Sequence, residues 1–349
     1  MSNVDGPSRM KTLFAGAIGN FVEWYDFALY GFFATTIAAQ FFPETDGTTA
    51  LLYTFSIFGV SFMARPLGAI AFGHLSDRIG RRPALSISVL LMSAGTVGIG
   101  LLPGYADIGA TAAFLLLAAR LLQGFSAGGE SSSASVFVIE HAPEGRRGRY
   151  ASYVLISVAL GTVFGILVSL LMSSITNADQ LASWGWRVPF IAAAPLALVG
   201  LYLRLRVHES PAFSELQTEG RLESAPIVQA FKVAKRPMLI LIGFAMSNSV
   251  ASYLVTSFLV AHLTTTAQFT QTQSLIVLLV AYVVLMCGSL VAGRAIDTLG
   301  RKRVAVGSAI GLGLWAVPTF IYLEHGTVIG ACVFVGGLAF LLSFTSTTT

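Results

Sequence analysis

The sequence predicts an all-α membrane protein with a six-helix N-terminal bundle and an incomplete, four-helix C-terminal bundle. The 349 residues are 55% hydrophobic and only 11% charged, with a mean hydropathy of +0.76, whereas soluble domains carry about 25% charged residues. Ten apolar runs are each long enough to cross a bilayer as a helix. A charged motif between two runs recurs in the second half of the chain, which is typical of a doubled membrane fold.

The apolar runs predict helices because each holds about 20 residues, whereas barrel strands are about 10 residues long and alternate. The first run contains Glu23 and Asp26 and exceeds the length of a secretory signal, so it is interpreted as a span. The runs are Thr12–Ala34, Thr49–Phe72, Pro83–Leu102, Ile108–Gly129 (with an end at Ile139 as the alternative), Tyr150–Ser174, Val188–Leu205, Pro237–Leu263, Ser274–Ala292, Val304–Leu323 and Val328–Phe344.

The basic residues predict the orientation. All but three of the 21 Lys and Arg residues are counted in segments on the side of the N-terminus, while Arg187 lies on the other side and Arg65 and Arg120 lie within spans. Because basic residues are enriched in cytoplasmic segments, the N-terminus is expected inside the cell. The prediction is a multi-pass protein of a bacterial-type plasma (inner) membrane.

The longest hydrophilic stretch, residues 206–236, predicts a cytoplasmic linker between a six-span bundle (1–205) and a second bundle (237–349). The charged motif follows the second span in each half. A complete second half would therefore hold two more spans. We expect that the chain lacks the last two, either as a natural fragment or as an incomplete sequence.

The repeated motif reads GHLSDRIGRRP from Gly73 and GRAIDTLGRKR from Gly293, and is interpreted as a charged gating loop. Its Asp can accept hydrogen bonds from backbone donors or a neighbouring Arg, and its Arg residues can pair with acids at adjacent helix ends. Plain positive-inside anchoring is the alternative, but it does not account for the Asp or the repeated spacing. The candidate gating residues are Gly73, Asp77, Arg78, Gly80, Arg81, Arg82, Gly293, Asp297 and Arg301.

Five ionisable residues are predicted within spans, where each costs roughly 2.5–3.5 kcal/mol at mid-bilayer. At about 1.5 Å per residue, Glu23, Asp26 and Arg120 lie at matching depth and can meet near the midplane. Arg65 and Glu130 lie nearer the inner face and are expected to approach each other and Asp77 as an inner charge network. A fixed structural role is the favoured interpretation for that second pair.

Three acids against two bases would leave one intramembrane carboxyl without a partner, and such a group could carry a proton. The hypothesis is that Glu23 or Asp26 is the proton-coupling site, with Arg120 as its electrostatic switch. A fixed salt bridge is the alternative. The proton-coupling and substrate candidates, which include neighbours on the same helix faces, are Glu23, Asp26, Tyr30, Arg120 and Gln123.

Other residue types give weaker signals. Gly124, Gly128, Gly161 and Gly165 are spaced by four in their spans, which predicts close helix packing. Scattered histidines and two cysteines within apolar runs make no ligand-spaced cluster, so no metal and no cofactor other than protons is predicted. Cavity-lining candidates, with core or belt packing as the alternative, are Trp24, Tyr25, Asn248, Tyr253 and Tyr282.

Several of these segments resemble a known family. GHLSDRIGRRP and its second copy resemble the loop signature of the major facilitator superfamily, and RLLQGFSAGGE from Arg120 resembles its fourth-span signature. GNFVEWYDFALYGFF from Gly19 is similar to the first span of the metabolite:proton symporters, whose members take up shikimate, 2-oxoglutarate, citrate, or proline and betaine. EGRRGRYAS, WGWRVPFI and HESPAF are similar to the same family.

The resemblance implies alternating access about a central cavity, driven by protons, with Asp77 as the gating acid. It implies that Arg120 acts in proton coupling or holds a substrate carboxylate. The expected partners are a small, carboxylate-bearing metabolite and the lipid bilayer, with no nucleic acid and a monomeric state. Three alternatives stay open: an uncoupled facilitator, a non-transporting metabolite sensor and a fragment that is inactive through truncation. A membrane-embedded enzyme would need convergent His, Asp or Cys residues near one face, and the sequence shows none.

Overall fold

The computed structural model describes residues 6–140, 142–206, 235–253, 259, 262–263 and 267–348. Every regular element in this part of the chain is helical, which confirms the predicted all-α class. Eight of its helices are long and apolar enough to cross a membrane. They are Gly47–Ile79, Arg81–Leu101, Thr111–Glu140, Arg147–Ile175, Ala178–Leu205, Gln273–Leu299, Arg301–Leu323 and Val328–Thr348.

The first half of the chain contains the helices of the six predicted spans. Helix α1 has 27 residues and is about 40 Å long, so it can cross the bilayer although it carries Glu23 and Asp26. The helices are α1 (Gly6–Phe32), α2 (Ala34–Phe41), α3 (Gly47–Ile79), α4 (Arg81–Leu101), α5 (Tyr105–Ile108), α6 (Thr111–Glu140), α7 (Arg147–Ile175), α8 (Ala178–Gln180), a π-helical turn (Leu181–Gly185), α9 (Arg187–Ile191) and α10 (Ala193–Leu205).

The second half contains α11 (Lys235–Tyr253), α12 (Gln271–Leu299), α13 (Arg301–Leu323) and α14 (Val328–Thr348). The predicted seventh span begins within α11, and its residues 254–258 lie outside the described residues. Helix α12 starts where it does because Thr270 caps it. The Thr270 hydroxyl accepts from the backbone N–H of Gln273, whose side chain accepts in return from the Thr270 N–H.

The two copies of the charged motif are not loops, which corrects the predicted charged gating loop. Helix α3 continues to Ile79, a single glycine follows, and α4 begins at Arg81. Gly80 has φ +101° and ψ 161°, and Gly300, its counterpart in the second copy, has φ +87° and ψ 145°. One glycine at positive φ breaks the helix without a loop, because it lacks a Cβ. The motif's polar residues therefore lie on helix ends.

Glycines bring α3 and α6 into close contact, as their spacing predicted. A Cβ on Gly124 would overlap the backbone carbonyl of Ser61, and a Cβ on Gly128 would overlap that of Arg65. Gly161 in α7 meets the backbone of Phe21 in the same way. The backbone of α3 at Arg65 is therefore held against α6.

The described residues form two compact units. The first lies within Met1–His141 and Leu160–Pro226, and the second within Ala142–Ala159 and Ile227–Thr349. The beginning of α7 is therefore grouped with the second half. The predicted division at a cytoplasmic linker stays a prediction, because residues 207–234 lie outside the described residues.

Candidate transport site

The first unit contains a sealed polar centre built on Asp26 of α1 and Arg120 of α6. Arg120 Nη1 donates to Asp26 Oδ2 at 2.7 Å and to Gln123 Oε1 at 2.7 Å. Gln123 Nε2 donates to Asp26 Oδ1 at 2.8 Å and to Thr96 of α4 at 2.8 Å. The side chains of Arg120 and Asp26 are 0% and 2% exposed. Both carboxylate oxygens of Asp26 thus have partners, and three helices are tied together.

Tyr30 connects this centre to α3. The guanidinium carbon of Arg120 lies 3.5 Å from the centroid of the Tyr30 ring, and the Tyr30 hydroxyl donates to the backbone oxygen of Thr54 at 3.0 Å. Nε and Nη2 of Arg120 are buried and have no hydrogen-bond partner in the described structure. The guanidinium is therefore held by the hydrogen bonds of Nη1 and by the Tyr30 ring, with the centroid of the Phe58 ring 5.3 Å from its carbon.

Glu23, one helical turn from Asp26, pairs with Arg65 instead of Arg120. Arg65 Nη2 lies 2.6 Å from Glu23 Oε1, and the two side chains are 25% and 1% exposed. The guanidinium carbon of Arg65 also lies 4.9 Å from the centroid of the Phe27 ring and 4.5 Å from that of Phe62. This pair is a half-open ion pair with aromatic faces beside it.

The predicted pairing of Arg65 with Glu130 is wrong, because Glu130 pairs with Arg204. Both Arg204 terminal nitrogens donate to the Glu130 carboxylate, and Ser88 donates to it as well at 2.5 Å. Arg204 also donates to the backbone oxygen of Leu85. Arg204 and Glu130 are 2% and 0% exposed, so this cluster joins α4, α6 and α10 in the interior.

Sequence reasoning missed Arg204 because it was counted with the basic residues of the inner segment. Helix α10 runs through Leu205, and Arg204 is buried in its last turn. Depth along the helix also carries no information on which way a side chain points. With Arg204 included, the three acids Glu23, Asp26 and Glu130 each have an arginine partner. The premise of one unpaired carboxyl is therefore wrong.

In the first copy of the charged motif, Asp77 near the end of α3 pairs with Arg81 at the start of α4, across the break at Gly80. Arg81 Nη1 lies 2.9 Å from Asp77 Oδ1, and its Nη2 lies 3.6 Å from Glu140 at the end of α6. Arg82 donates to the backbone oxygen of Leu205 at 2.7 Å. Arg78 is exposed and Gly73 is half-buried. These contacts hold the ends of α3, α4, α6 and α10 in the first unit.

In the second copy, within the second unit, Asp297 caps the beginning of α7. Its carboxylate accepts from the backbone N–H of Gly148 at 2.7 Å and of Arg149 at 3.3 Å. A carboxylate at this position satisfies helix N-terminal donors and interacts favourably with the helix dipole. A Cβ on Gly293 would lie 2.8 Å from the Gly148 oxygen, so α12 and α7 are in close contact. Arg301 Nε donates to the Thr348 oxygen at 2.7 Å.

The cavity candidates have different environments. Tyr25 packs in the core, as its alternative interpretation held, and its hydroxyl donates to the Pro189 oxygen at 2.7 Å. Trp24 is half-buried beside Phe27, Tyr282 is buried, and Asn248 accepts from Ser346 at 3.0 Å. The side chain of Tyr253 lies outside the described residues. Trp24 contacts Phe27, whose ring lies beside the Arg65 guanidinium.

Comparison with known proteins gives consistent matches. Residues 12–230 match the model of the sugar (and other) transporter family. The proline/betaine transporter of Salmonella typhimurium is 34% identical over 342 residues, which cover 95% of this chain and 68% of the relative. The glycine betaine/proline/ectoine/pipecolic acid transporter OusA of Dickeya dadantii matches with the same identity and coverage.

Solved structures share the fold. The proton:xylose symporter XylE bound to a bromodeoxyglucose aligns with a TM-score of 0.76 and 18% identity, covering 98% of this chain and 81% of that one. The human organic anion transporter MFSD10 aligns with a TM-score of 0.64 and 14% identity, covering 98% and 92%. At these identities the likeness shows the fold alone.

The apolar helices and these relatives define a secondary transporter, a protein that moves a solute across the membrane and is not an enzyme. The chain belongs to the major facilitator superfamily, to its sugar (and other) transporter family and to the group that contains the proline/betaine transporters. The predicted fold and the predicted family are thus confirmed.

Proposed function

We propose that this chain is a proton-coupled symporter that imports a small zwitterionic metabolite by alternating access. Its setting is a bacterial-type inner membrane, with the N-terminus in the cytoplasm and the chain acting as a monomer. The names of the 34%-identical relatives support the substrate class, because proline and glycine betaine are both zwitterions that bear a carboxylate.

One observation carries the coupling: the Asp26–Arg120 pair, sealed among apolar helices. Two such charges are costly in a membrane, at roughly 2.5–3.5 kcal/mol each at mid-bilayer. A pair kept at that cost fits a group that gains and loses a proton during transport. A proton that binds an Asp26 oxygen removes the charge that holds Arg120.

The proton state of Asp26 can reach α3 through Tyr30. Arg120 stacks on the Tyr30 ring, and the Tyr30 hydroxyl bonds the backbone of α3 at Thr54. When Asp26 is neutral, the guanidinium keeps its bond to Gln123 but can move, because its Nε and Nη2 have no hydrogen-bond partner in the described structure. The contacts among α1, α3 and α6 then change, and loss of the proton to the cytoplasm restores them.

The test is uptake into proteoliposomes that hold the purified chain. With an acidic exterior, labelled proline or glycine betaine should accumulate above its external concentration, and a protonophore should abolish accumulation. Adding substrate to a weakly buffered suspension should make the exterior more alkaline. Exchange without accumulation would show an uncoupled facilitator, and binding without counterflow would show a sensor; either result would overturn the proposal.

A further inference from the structure

The Glu23–Arg65 pair differs from the other two buried pairs of the first unit in its exposure. The Asp26–Arg120 and Glu130–Arg204 pairs are no more than 2% exposed on either side, whereas the Arg65 side chain is 25% exposed. Arg65 lies over Glu23, which is itself 1% exposed. Its Nε is buried and has no hydrogen-bond partner in the described structure. Part of the Arg65 side chain is thus open to a ligand, while the unpartnered Nε lies inside.

Aromatic rings surround this ion pair. The ring centroids of Phe27 and Phe62 lie 5.6 Å apart, and Phe58 lies 5.6 Å from Phe27 and 5.2 Å from Phe62. Trp24 meets Phe27 edge-on at 5.8 Å. Trp24, Phe27, Phe58 and Phe62 are each half-buried, so parts of their surfaces are open. The faces that now hold the Arg65 cation can hold another cation.

We propose that Glu23, Arg65, Phe27 and Phe62 form the zwitterion-binding site, an inference that rests on the proposed function. The substrate inserts into the ion pair and takes over its partners. Its carboxylate accepts from Arg65, and its quaternary or secondary ammonium lies beside the Glu23 carboxylate and against the Phe27 and Phe62 rings.

This exchange is favourable because it keeps the charges balanced. Removing one member of a buried pair leaves an uncompensated charge, which is strongly destabilising. A zwitterion brings one charge of each sign, so both protein groups keep an opposite charge after it binds. A ligand with only one charge deprives either Glu23 or Arg65 of the opposite charge that it now contacts. Selection for zwitterions over acids and over amines follows from this balance.

A proline in α3 next to the site favours rearrangement of the side chains that bind the substrate. Pro66 lies inside α3 directly after Arg65. Since proline has no N–H, the Phe62 carbonyl lacks its usual helical partner, and helices bend at such points. Gly128 of α6 fixes the backbone of Arg65 at the same level. The side chains of Phe62 and Arg65 can therefore rearrange about a fixed point.

The site also lies close to the proton-binding group. Glu23 and Asp26 are three residues apart on α1, so their side chains are neighbours on one face. Neutralising Asp26 removes the ion-pair partner of Arg120, and this cation, one helical turn away, then competes with Arg65 for Glu23. That competition loosens the Glu23–Arg65 pair and favours substrate entry when the proton is bound.

The first experiment compares three ligands by calorimetry on the full chain in lipid nanodiscs. Glycine betaine carries both charges, 3,3-dimethylbutanoate has the same shape without the positive charge, and choline lacks the carboxylate. Glycine betaine should bind at least about tenfold more tightly than either analogue. Equal affinity for glycine betaine and 3,3-dimethylbutanoate would overturn the site.

The second experiment uses matched variants. Phe62→Leu keeps an apolar side chain but removes the ring, so it should weaken glycine betaine binding about tenfold and leave 3,3-dimethylbutanoate unchanged. Arg65→Gln should weaken glycine betaine binding and strengthen choline binding, because choline then displaces no arginine from Glu23. Phe164→Leu is the control, because Phe164 packs against Phe21 and Tyr25 away from the site and its loss should change no affinity.

The results of the two experiments distinguish failure of the proposed binding site from failure of the proposed function. If the unmodified chain binds neither proline nor glycine betaine, the proposed substrate class and the site both fail. If it binds them but Phe62→Leu behaves like Phe164→Leu, the site fails and the proposed function stands. A monodisperse profile and an unchanged melting temperature for each variant would show that the differences do not arise from misfolding.

Discussion

Three arginine–carboxylate pairs of the same chemistry have different surroundings within the first unit. Glu130 is fully enclosed, and it accepts hydrogen bonds from both Arg204 terminal nitrogens and from Ser88. An arrangement with this many charge-assisted hydrogen bonds favours a fixed position. Arg65, by contrast, is half-open and lies on aromatic rings. At the residue scale, the burial of its side chains distinguishes a structural ion pair from one that a ligand can enter.

The Glu130–Arg204 pair gives a stability prediction. Arg204→Met leaves a buried carboxylate without its cation, so the free energy of unfolding should fall by about 3–5 kcal/mol. The double variant Arg204→Met with Glu130→Leu removes both charges and should recover most of that loss. Chemical unfolding in mixed micelles, followed by circular dichroism, measures both. A double variant as unstable as Arg204→Met alone would contradict a paired structural role; exposed Arg206→Gln is the control.

At the element scale, the fold depends on glycines where helices meet. Gly128 of α6 lies against the backbone of Arg65, whereas Gly59 of α3 has no atom within 4 Å of where a Cβ would stand. Gly128→Ala should therefore lower the free energy of unfolding by about 1–3 kcal/mol through overpacking. Gly59→Ala should leave it unchanged or raise it slightly, because alanine favours the helix. Equal effects in thermal unfolding would show that α3 and α6 can separate at little cost.

The one-residue connectors give a second element-scale prediction. Gly80 has φ +101° and ψ 161°, a region that residues with a Cβ rarely occupy. Gly80→Ala should cost about 1–3 kcal/mol, and Gly300→Ala should cost a similar amount because its conformation is similar, with φ +87° and ψ 145°. Gly98→Ala in α4, where a Cβ meets no atom within 4 Å, is the control. A cost for Gly80→Ala no larger than for Gly98→Ala, measured by thermal unfolding, would contradict the backbone argument.

At the scale of the whole molecule, sequence reasoning succeeded where the signal is local. Apolar runs predicted the helices, and the repeated motif predicted two matching connections, although not that Gly80 and Gly300 alone would make them. Depth in the bilayer predicted that Asp26 and Arg120 could meet. Depth in the bilayer could not predict that Glu130 pairs with Arg204 and not with Arg65, because pairing depends on how the six helices are rotated about their axes. That rotation is set by helix packing, and the glycine spacing is the feature of this packing that the sequence reveals.

The transport cycle gives the last prediction, which concerns Asp26 and Arg120 together. Asp26→Asn keeps a side chain that can bond Gln123 but mimics the neutral acid permanently, so it should remove proton-driven accumulation while exchange of substrate across the membrane continues. Arg120→Ala should abolish both, because the contact with Tyr30 and α3 is lost, while membrane insertion is unchanged. Proteoliposomes with and without an imposed proton gradient separate the two activities. Gradient-driven accumulation by Asp26→Asn would place the coupling proton on another group, and normal uptake by Arg120→Ala would remove the arginine from the mechanism.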